Sequence, residues 1–99
     1  MRISAQELKN KIENNEDFQL IDVREKYEFD EFNIGGTNIP MDDVLKNLKK
    51  LNLSKPIVFC CNEGLKSQAL IIVLKRKINN QQLYSLEGGI TAYYETFEV

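Results

Sequence analysis

Two adjacent cysteines, Cys60 and Cys61, are the residues of this chain best suited to chemistry. They end a short apolar segment, and a loop over residues 62–66 separates them from a second, longer apolar segment with the character of a helix. A helix that begins after such a loop directs backbone N–H groups and the positive end of its dipole into one small space. These groups and a nearby cation, here Lys66, favour a thiolate. We therefore expect this loop to be the active site, with a cysteine as its nucleophile.

The composition narrows the classes of function that such a thiol can serve. The chain has 99 residues and a formal net charge of -2, with 42% hydrophobic and 28% charged residues, which is typical of a globular domain. We predict one domain over residues 1–99. The negative net charge gives no support for nucleic-acid binding, which needs concentrated Lys and Arg. No apolar segment approaches the roughly 20 residues needed to cross a membrane. Because the N-terminal residues lack a secretion signal, we expect a cytoplasmic location.

The chain contains no histidine, which limits how the thiol can be activated. Histidine is the most common general base and metal ligand, so a cysteine–histidine pair within the chain is excluded and a zinc site is not expected. Cys60 and Cys61 are neighbours, and a disulfide between them would be badly strained. Adjacent residues of a strand point to opposite faces. We therefore expect Cys61 to face the site and Cys60 to point into the core.

The elements that must position the loop alternate between strand and helix. Apolar segments predict strands over residues 18–23, 57–60 and 83–86, with a brief extended segment over 37–40. Helical spacing of apolar residues predicts helices over residues 4–14, 41–51 and 67–78, with a last helix from about residue 90. The helix over 67–78 is apolar on nearly all sides, so we expect it to pack centrally with Ser67 as its N-cap. This alternation predicts an α/β fold with a mainly parallel sheet.

Three separated motifs resemble the rhodanese-like domain family. The first is Asp-Val-Arg-Glu over residues 22–25, followed by Ile-Gly-Gly-Thr-Asn-Ile-Pro over 34–40. The second is Cys-Asn-Glu-Gly-Leu-Lys-Ser over 61–67, where the family has Cys-x-x-Gly-x-Arg-Ser, and the third is Leu-Glu-Gly-Gly-Ile over 86–90. Their order and spacing match the family over essentially the whole chain. We expect Asp22 and Arg24 to form a structural ion pair rather than to act in catalysis.

The resemblance implies a single-domain sulfurtransferase with a central sheet of about five short, mainly parallel strands and helices on both faces. It implies that Cys61 takes a sulfane sulfur from thiosulfate or a persulfide donor, becomes a persulfide, and passes the sulfur to a thiol or to cyanide. It also implies that no metal and no organic cofactor is needed. The remaining residues of the motif would bind the substrate: Asn62, Glu63, Gly64, Leu65, Lys66 and Ser67.

Two loop residues bear on the chemistry, and one of them, Lys66, departs from the family pattern. Lys66 replaces arginine, so a point charge stands where the family has a planar fork suited to thiosulfate. Glu63 adds a negative charge that opposes anion binding. We therefore expect altered donor preference, and a non-catalytic binding or sulfur-relay module is a second interpretation. Phosphatase or arsenate-reductase chemistry is a third interpretation, because the spacing counted from Cys60 fits their longer loop. It is less favoured, because a phosphoryl transition state favours a bidentate arginine, which the loop lacks.

Overall fold

The fold, described for residues 1–79 and 82–98 of a computed structural model, is built on one parallel sheet. Its strands are β1 (Arg2–Ile3), β2 (Gln19–Asp22), β3 (Thr37–Asn38), β4 (Ile57–Cys60) and β5 (Leu83–Leu86). Their spatial order is β1-β5-β4-β2-β3, and each neighbouring pair is parallel. The α/β fold with a parallel sheet of five strands is therefore confirmed.

Helices cover both faces of the sheet. They are α1 (Ala5–Glu13), α2 (Lys26–Glu31), α3 (Met41–Lys46), a short 3-10 turn (Leu48–Lys50), α4 (Leu65–Leu74) and α5 (Gly89–Phe97). Successive residues of β4 alternate between two cores: Ile57 and Phe59 pack with α3 and α4, whereas Val58 and Cys60 pack with α1 and α5. This alternation follows from the two-residue period of a strand. It also places the side chains of Cys60, the last residue of β4, and Cys61, the next residue, on opposite faces of the sheet.

Strand β4 is the central strand, and its position sets the place of the site. All four of its residues are buried, as expected for a continuous apolar strand covered on both faces. It pairs with β5 on one side and with β2 on the other, and Cys60 is the register partner of Asp22. The chain therefore leaves the sheet at Cys61, beyond the carboxyl ends of the strands, where open α/β sheets bind their ligands.

Strand β1 is not predicted from the sequence, because two residues are too few to show an alternating pattern. Arg2 and Ile3 pair with Ser85 and Leu86, and Ile3 is buried. The next element agrees with its prediction. Ser4 and Glu7 form a reciprocal capping box at the start of α1, with hydrogen bonds of 3.0 and 3.1 Å. The capping box fixes the point at which the chain turns from the sheet edge into the helix.

Helix α4 differs from its prediction in both its bounds and its burial. It begins at Leu65, because Gly64 takes the cap position with a φ of 91°, and it ends at Leu74 rather than at residue 78. It lies on the outside of the sheet, so only one side can be buried: Leu70 is 1% exposed and Ile72 is 62% exposed. The expectation of a centrally packed helix is therefore wrong. Even this most apolar helix is short, and no described helix has the length and hydropathy to cross a membrane.

The helix predicted over residues 41–51 is also shorter in the structure. Helix α3 ends at Lys46, where Asn47 leaves the helical conformation with a φ of -145°. The Asn47 side chain then accepts a hydrogen bond of 3.2 Å from the Lys49 N–H and starts the 3-10 turn. Asparagine competes for backbone donors in this way, which the spacing of apolar residues alone does not reveal.

The one-sided packing of α4 predicts unequal costs for substitutions at two of its apolar positions. Leu70→Ala should lower the free energy of unfolding by roughly 2–5 kcal/mol, because it opens a cavity in the core. Ile72→Gln should change it by less than about 0.5 kcal/mol, as is usual for an exposed position. Urea denaturation followed by circular dichroism measures both values. A large loss in Ile72→Gln would contradict the exposed position of this side chain.

Candidate active site

The sulfur atom of Cys61 is surrounded by donors from its own loop. Its Sγ accepts hydrogen bonds from the backbone N–H groups of Gly64, at 3.2 Å, and Ser67, at 3.4 Å. The Cys61 thiol in turn donates toward the Ser67 hydroxyl oxygen, at 3.6 Å. The two N–H donors come from the cap and first turn of α4, where the helix dipole also favours negative charge. The arrangement suits a thiolate, and it would equally suit the negative charge of a persulfide.

Ser67 connects this first turn to the sheet beneath it. The hydroxyl group of Ser67 donates a hydrogen bond to the Gly64 carbonyl at 3.2 Å. Its oxygen lies 2.6 Å from the hydroxyl oxygen of Ser85. Both serines are fully buried. The expectation that Ser67 caps the helix is wrong, because Gly64 occupies the cap and Ser67 is the third helical residue. Ser85 is not predicted as part of the site, although a serine within the otherwise large and mainly apolar strand β5 was a signal for it.

Helix α5 holds the other side of the loop. The N–H of Ile90 donates to the carbonyl of Cys61 at 2.9 Å, and the N–H of Thr91 donates to the carbonyl of Asn62 at 3.0 Å. The C=O and N–H of a trans peptide point in opposite directions, so the N–H groups of Asn62 and Glu63 point away from α5. The contact requires glycine at Gly89, whose φ is 65°, because an added Cβ would overlap both of these carbonyl oxygens.

A buried ion pair lies behind the loop and confirms the structural pairing expected for Asp22 and Arg24. The guanidinium donates to the carboxylate from Nη2, at 2.9 Å, and from Nε, at 3.1 Å, and it also donates to the Phe32 carbonyl at 2.7 Å. Burial by itself lowers the pKa of Arg24, but the hydrogen bonds and charge of Asp22 raise it above its usual value. The cation is thus fixed beside the site.

A cavity of about 200 Å³ opens over Cys61. Seven residues line it: Arg24, Glu28, Cys61, Asn62, Glu63, Leu65 and Lys66. The structure therefore brings together every residue predicted for the site, with Gly64 and Ser67 hydrogen-bonded to the sulfur and the others around the cavity.

Two of the lining residues, Arg24 and Glu28, are not predicted to face the cavity. Asn62 joins them: its side-chain amide donates to Glu28 Oε2 at 3.0 Å, and its oxygen accepts from Arg24 Nη1 at 3.4 Å. Both residues follow β2, whose carboxyl end lies beside that of β4. Glu28 also forms a capping box with Glu25 in the first turn of α2. That capping pattern was the signal that could have placed Glu28 near the sheet edge.

Cys60 lies outside the cavity, as expected. It is fully buried among residues that pack with α1 and α5, on the face opposite Cys61. Burial raises the pKa of its thiol well above the usual value, and the charge of Asp22 raises it further. Cys60 therefore does not face the cavity, and the loop that lines the cavity is the shorter one counted from Cys61.

A comparison with family models agrees with these features. The model of the rhodanese-like domain matches residues 4–96. The chain belongs to the rhodanese-like domain family. Among the described residues of this rhodanese-like domain, no cluster of three or more His, Cys, Asp or Glu side chains could hold a metal ion.

Curated proteins and solved structures resemble this rhodanese-like domain over most of its length. The chain is 35% identical over 92 residues to "Putative sulfurtransferase YtwF" of Bacillus subtilis, covering 92% of this chain and 87% of that protein. It is 30% identical to "Putative sulfur carrier protein YrkF" of the same organism, covering 76% of this chain and 41% of that protein. A rhodanese-related protein from Thermoplasma volcanium superposes with a TM-score of 0.82 at 26% identity, covering 97% of this chain and 92% of that one.

The contact between Gly89 and the loop predicts that Gly89→Ala is more harmful than a matched glycine substitution. At both Gly89 and Gly35 φ is positive, so alanine at either position costs about 1–3 kcal/mol of backbone strain. Only at Gly89 would the new Cβ also meet backbone atoms, whereas the space around Gly35 is open. Thermal unfolding should show a greater loss for Gly89→Ala than for Gly35→Ala. Equal losses would mean that the contact with the loop carbonyls is unimportant.

The raised pKa of Cys60 predicts selective alkylation. An ordinary thiol ionises near pH 8.5, but Cys60 should remain protonated and unreactive with iodoacetamide up to about that pH. Cys61 is only 3% exposed, but it lines the cavity, so it should be modified in the folded protein. Peptide mapping after alkylation at several pH values measures both sites, with urea-unfolded protein as the control in which both react. Modification of folded Cys60 at neutral pH would contradict its burial.

Proposed function

We propose that this rhodanese-like domain is a sulfurtransferase in which Cys61 is the nucleophile. The observation that supports it most directly is the position of the Cys61 sulfur, which accepts hydrogen bonds from Gly64 and Ser67 at the start of α4. Such donors stabilise a thiolate without a histidine, and the chain has none. The relative named as a sulfurtransferase, which is aligned with most of this chain, gives further support.

In the first half of the proposed reaction, the Cys61 thiolate attacks the terminal sulfur of a donor. With a persulfide donor R–S–SH, a new S–S bond forms to Cys61 and the original S–S bond breaks. Its electron pair leaves on R–S⁻, which takes a proton from water. With thiosulfate, the leaving group is sulfite. The outer sulfur of the resulting persulfide would lie near the N–H groups of Asn62 and Glu63, which point away from α5.

In the second half, a thiolate or cyanide attacks the outer sulfur of the Cys61 persulfide. The S–S bond to Cys61 breaks, and its electron pair returns to the Cys61 thiolate, which the N–H groups of Gly64 and Ser67 stabilise again. The products are a new persulfide or thiocyanate. No metal or organic cofactor is needed for either half. A cytoplasmic location is part of this proposal, because thiol acceptors stay reduced there.

The second candidate function is a sulfur-relay or binding module. It is favoured by the two carboxylates at the cavity, those of Glu28 and Glu63, which oppose turnover of a dianion such as thiosulfate. The relative named as a sulfur carrier points the same way. Mass spectrometry after exposure to several donors separates the candidates. A Cys61 that reacts with iodoacetamide but never gains a sulfur atom would leave only the binding role.

The proposed mechanism predicts different outcomes for substitutions of the two cysteines. Cys61→Ser should lower sulfur transfer to cyanide by at least about a thousandfold, because it removes the covalent nucleophile. Cys60→Ala should retain the activity, because Cys60 is buried on the other face. Thiocyanate formation from thiosulfate or an alkyl persulfide measures the rate, and circular dichroism shows whether each variant is folded. Full activity in Cys61→Ser would end the assignment.

A further inference from the structure

The charged groups around the cavity at Cys61 are two cations and two carboxylates. Arg24 and Lys66 are the cations, and Glu28 and Glu63 are the carboxylates. A cavity whose lining charges cancel does not attract a dianion over long distances, and its carboxylates repel one at contact. The cavity therefore lacks the excess of positive charge that would favour thiosulfate. A ligand with one charge of each sign would suit it better.

The two cations differ in how much of each is left for a ligand. The Arg24 guanidinium already donates hydrogen bonds to Asp22, Phe32 and Asn62. Lys66 is exposed, and its ammonium group forms no ion pair with any residue in the described part of the chain. Lys66 is thus the cation that can meet a ligand carboxylate.

Glu28 is a fixed and ionised carboxylate at the cavity. Its Oε2 accepts from the Asn62 side chain at 3.0 Å, and its Oε1 accepts from the Glu25 N–H at 3.2 Å. The hydrogen bond from Asn62, then that from Glu25, lowers the pKa of Glu28, and the charges of Arg24 and Lys66 lower it further. A carboxylate held in place and charged at neutral pH is a good acceptor for a ligand ammonium group.

We propose that the sulfur donor is an alkyl persulfide with a zwitterionic head group, of the amino-acid persulfide class, and that Glu28 selects it. The ammonium group of the donor lies against Glu28, its carboxylate lies against Lys66, and its terminal sulfur meets the Cys61 thiolate. The S–S bond of the donor breaks as the bond to Cys61 forms, and the donor leaves as an amino-acid thiolate that takes a proton from water. This inference rests on the proposed sulfurtransferase function.

The first test compares donors that differ only in the head group. L-Cysteine persulfide has both charges, the persulfide of 3-mercaptopropionate lacks the ammonium, and the persulfide of cysteamine lacks the carboxylate. Intact-protein mass spectrometry measures the initial rate at which Cys61 of the full chain gains one sulfur atom. We expect cysteine persulfide to react roughly tenfold faster than the 3-mercaptopropionate persulfide and faster than thiosulfate, since a charge-assisted hydrogen bond is worth about one factor of ten or more.

The second test changes Glu28 and a matched residue. Glu28→Gln removes the charge but keeps an oxygen that can accept from Asn62, and Glu31→Gln makes the same change at an exposed position of α2 that does not line the cavity. In Glu28→Gln the preference for cysteine persulfide over the 3-mercaptopropionate persulfide should disappear, and loading by thiosulfate should rise. Glu31→Gln should behave as the unchanged protein. An undiminished preference in Glu28→Gln would overturn the role of Glu28.

A binding experiment separates failure of this inference from failure of the proposed function. S-Methyl-L-cysteine has the zwitterionic head group but no sulfur to transfer, and 3-(methylthio)propionate lacks the ammonium. In an NMR titration, the first should shift the side-chain amide signals of Asn62 in the unchanged protein and not in Glu28→Gln, and the second should shift them less. If no donor loads Cys61, the sulfurtransferase proposal fails. If both analogues bind alike, or all donors load alike, the head-group inference fails.

Discussion

The candidate site depends on two hydrogen bonds that fix the direction of the loop peptides. Ile90 and Thr91, in the first turn of α5, donate to the carbonyls of Cys61 and Asn62. With those carbonyls held on one side, the following N–H groups must point to the other. A loop free to rotate its peptides could place carbonyl oxygens beside the sulfur and would destabilise a thiolate. The glycine at Gly89 lets α5 approach closely enough to prevent this.

Asn62 joins this backbone frame to the charges beside it. Its carbonyl is held by α5, and its side chain contacts both Arg24 and Glu28. Arg24 is in turn fixed by the buried carboxylate of Asp22, at the end of the strand next to β4. Two of the four charges at the cavity, those of Arg24 and Glu28, are therefore held beside the ends of two neighbouring strands. The positions of these two charges depend on the sheet more than on the flexibility of surface side chains.

Much of the fold could be predicted from the sequence, because the apolar strands, the capping box of α1 and the three motifs all indicate one family. The site around Cys61 could also be predicted, since the spacing from Cys61 to Ser67 is local. Features that depend on distant parts of the chain could not be predicted. Glu28 and Ser85 reach the loop only through strand pairing, and the exposed side of α4 reflects which layer covers it. Spacing along one helix does not contain that information.

The separation of the two adjacent thiols has a consequence for how long a bound sulfur would last. Many redox proteins place a second cysteine where it can displace a group from the first. The sequence has two cysteines. The second one, Cys60, is fully buried on the opposite face of the sheet. A persulfide on Cys61 would have no internal thiol to discharge it. Its lifetime would be set by the arrival of an external acceptor, so the domain would hold the bound sulfur between encounters.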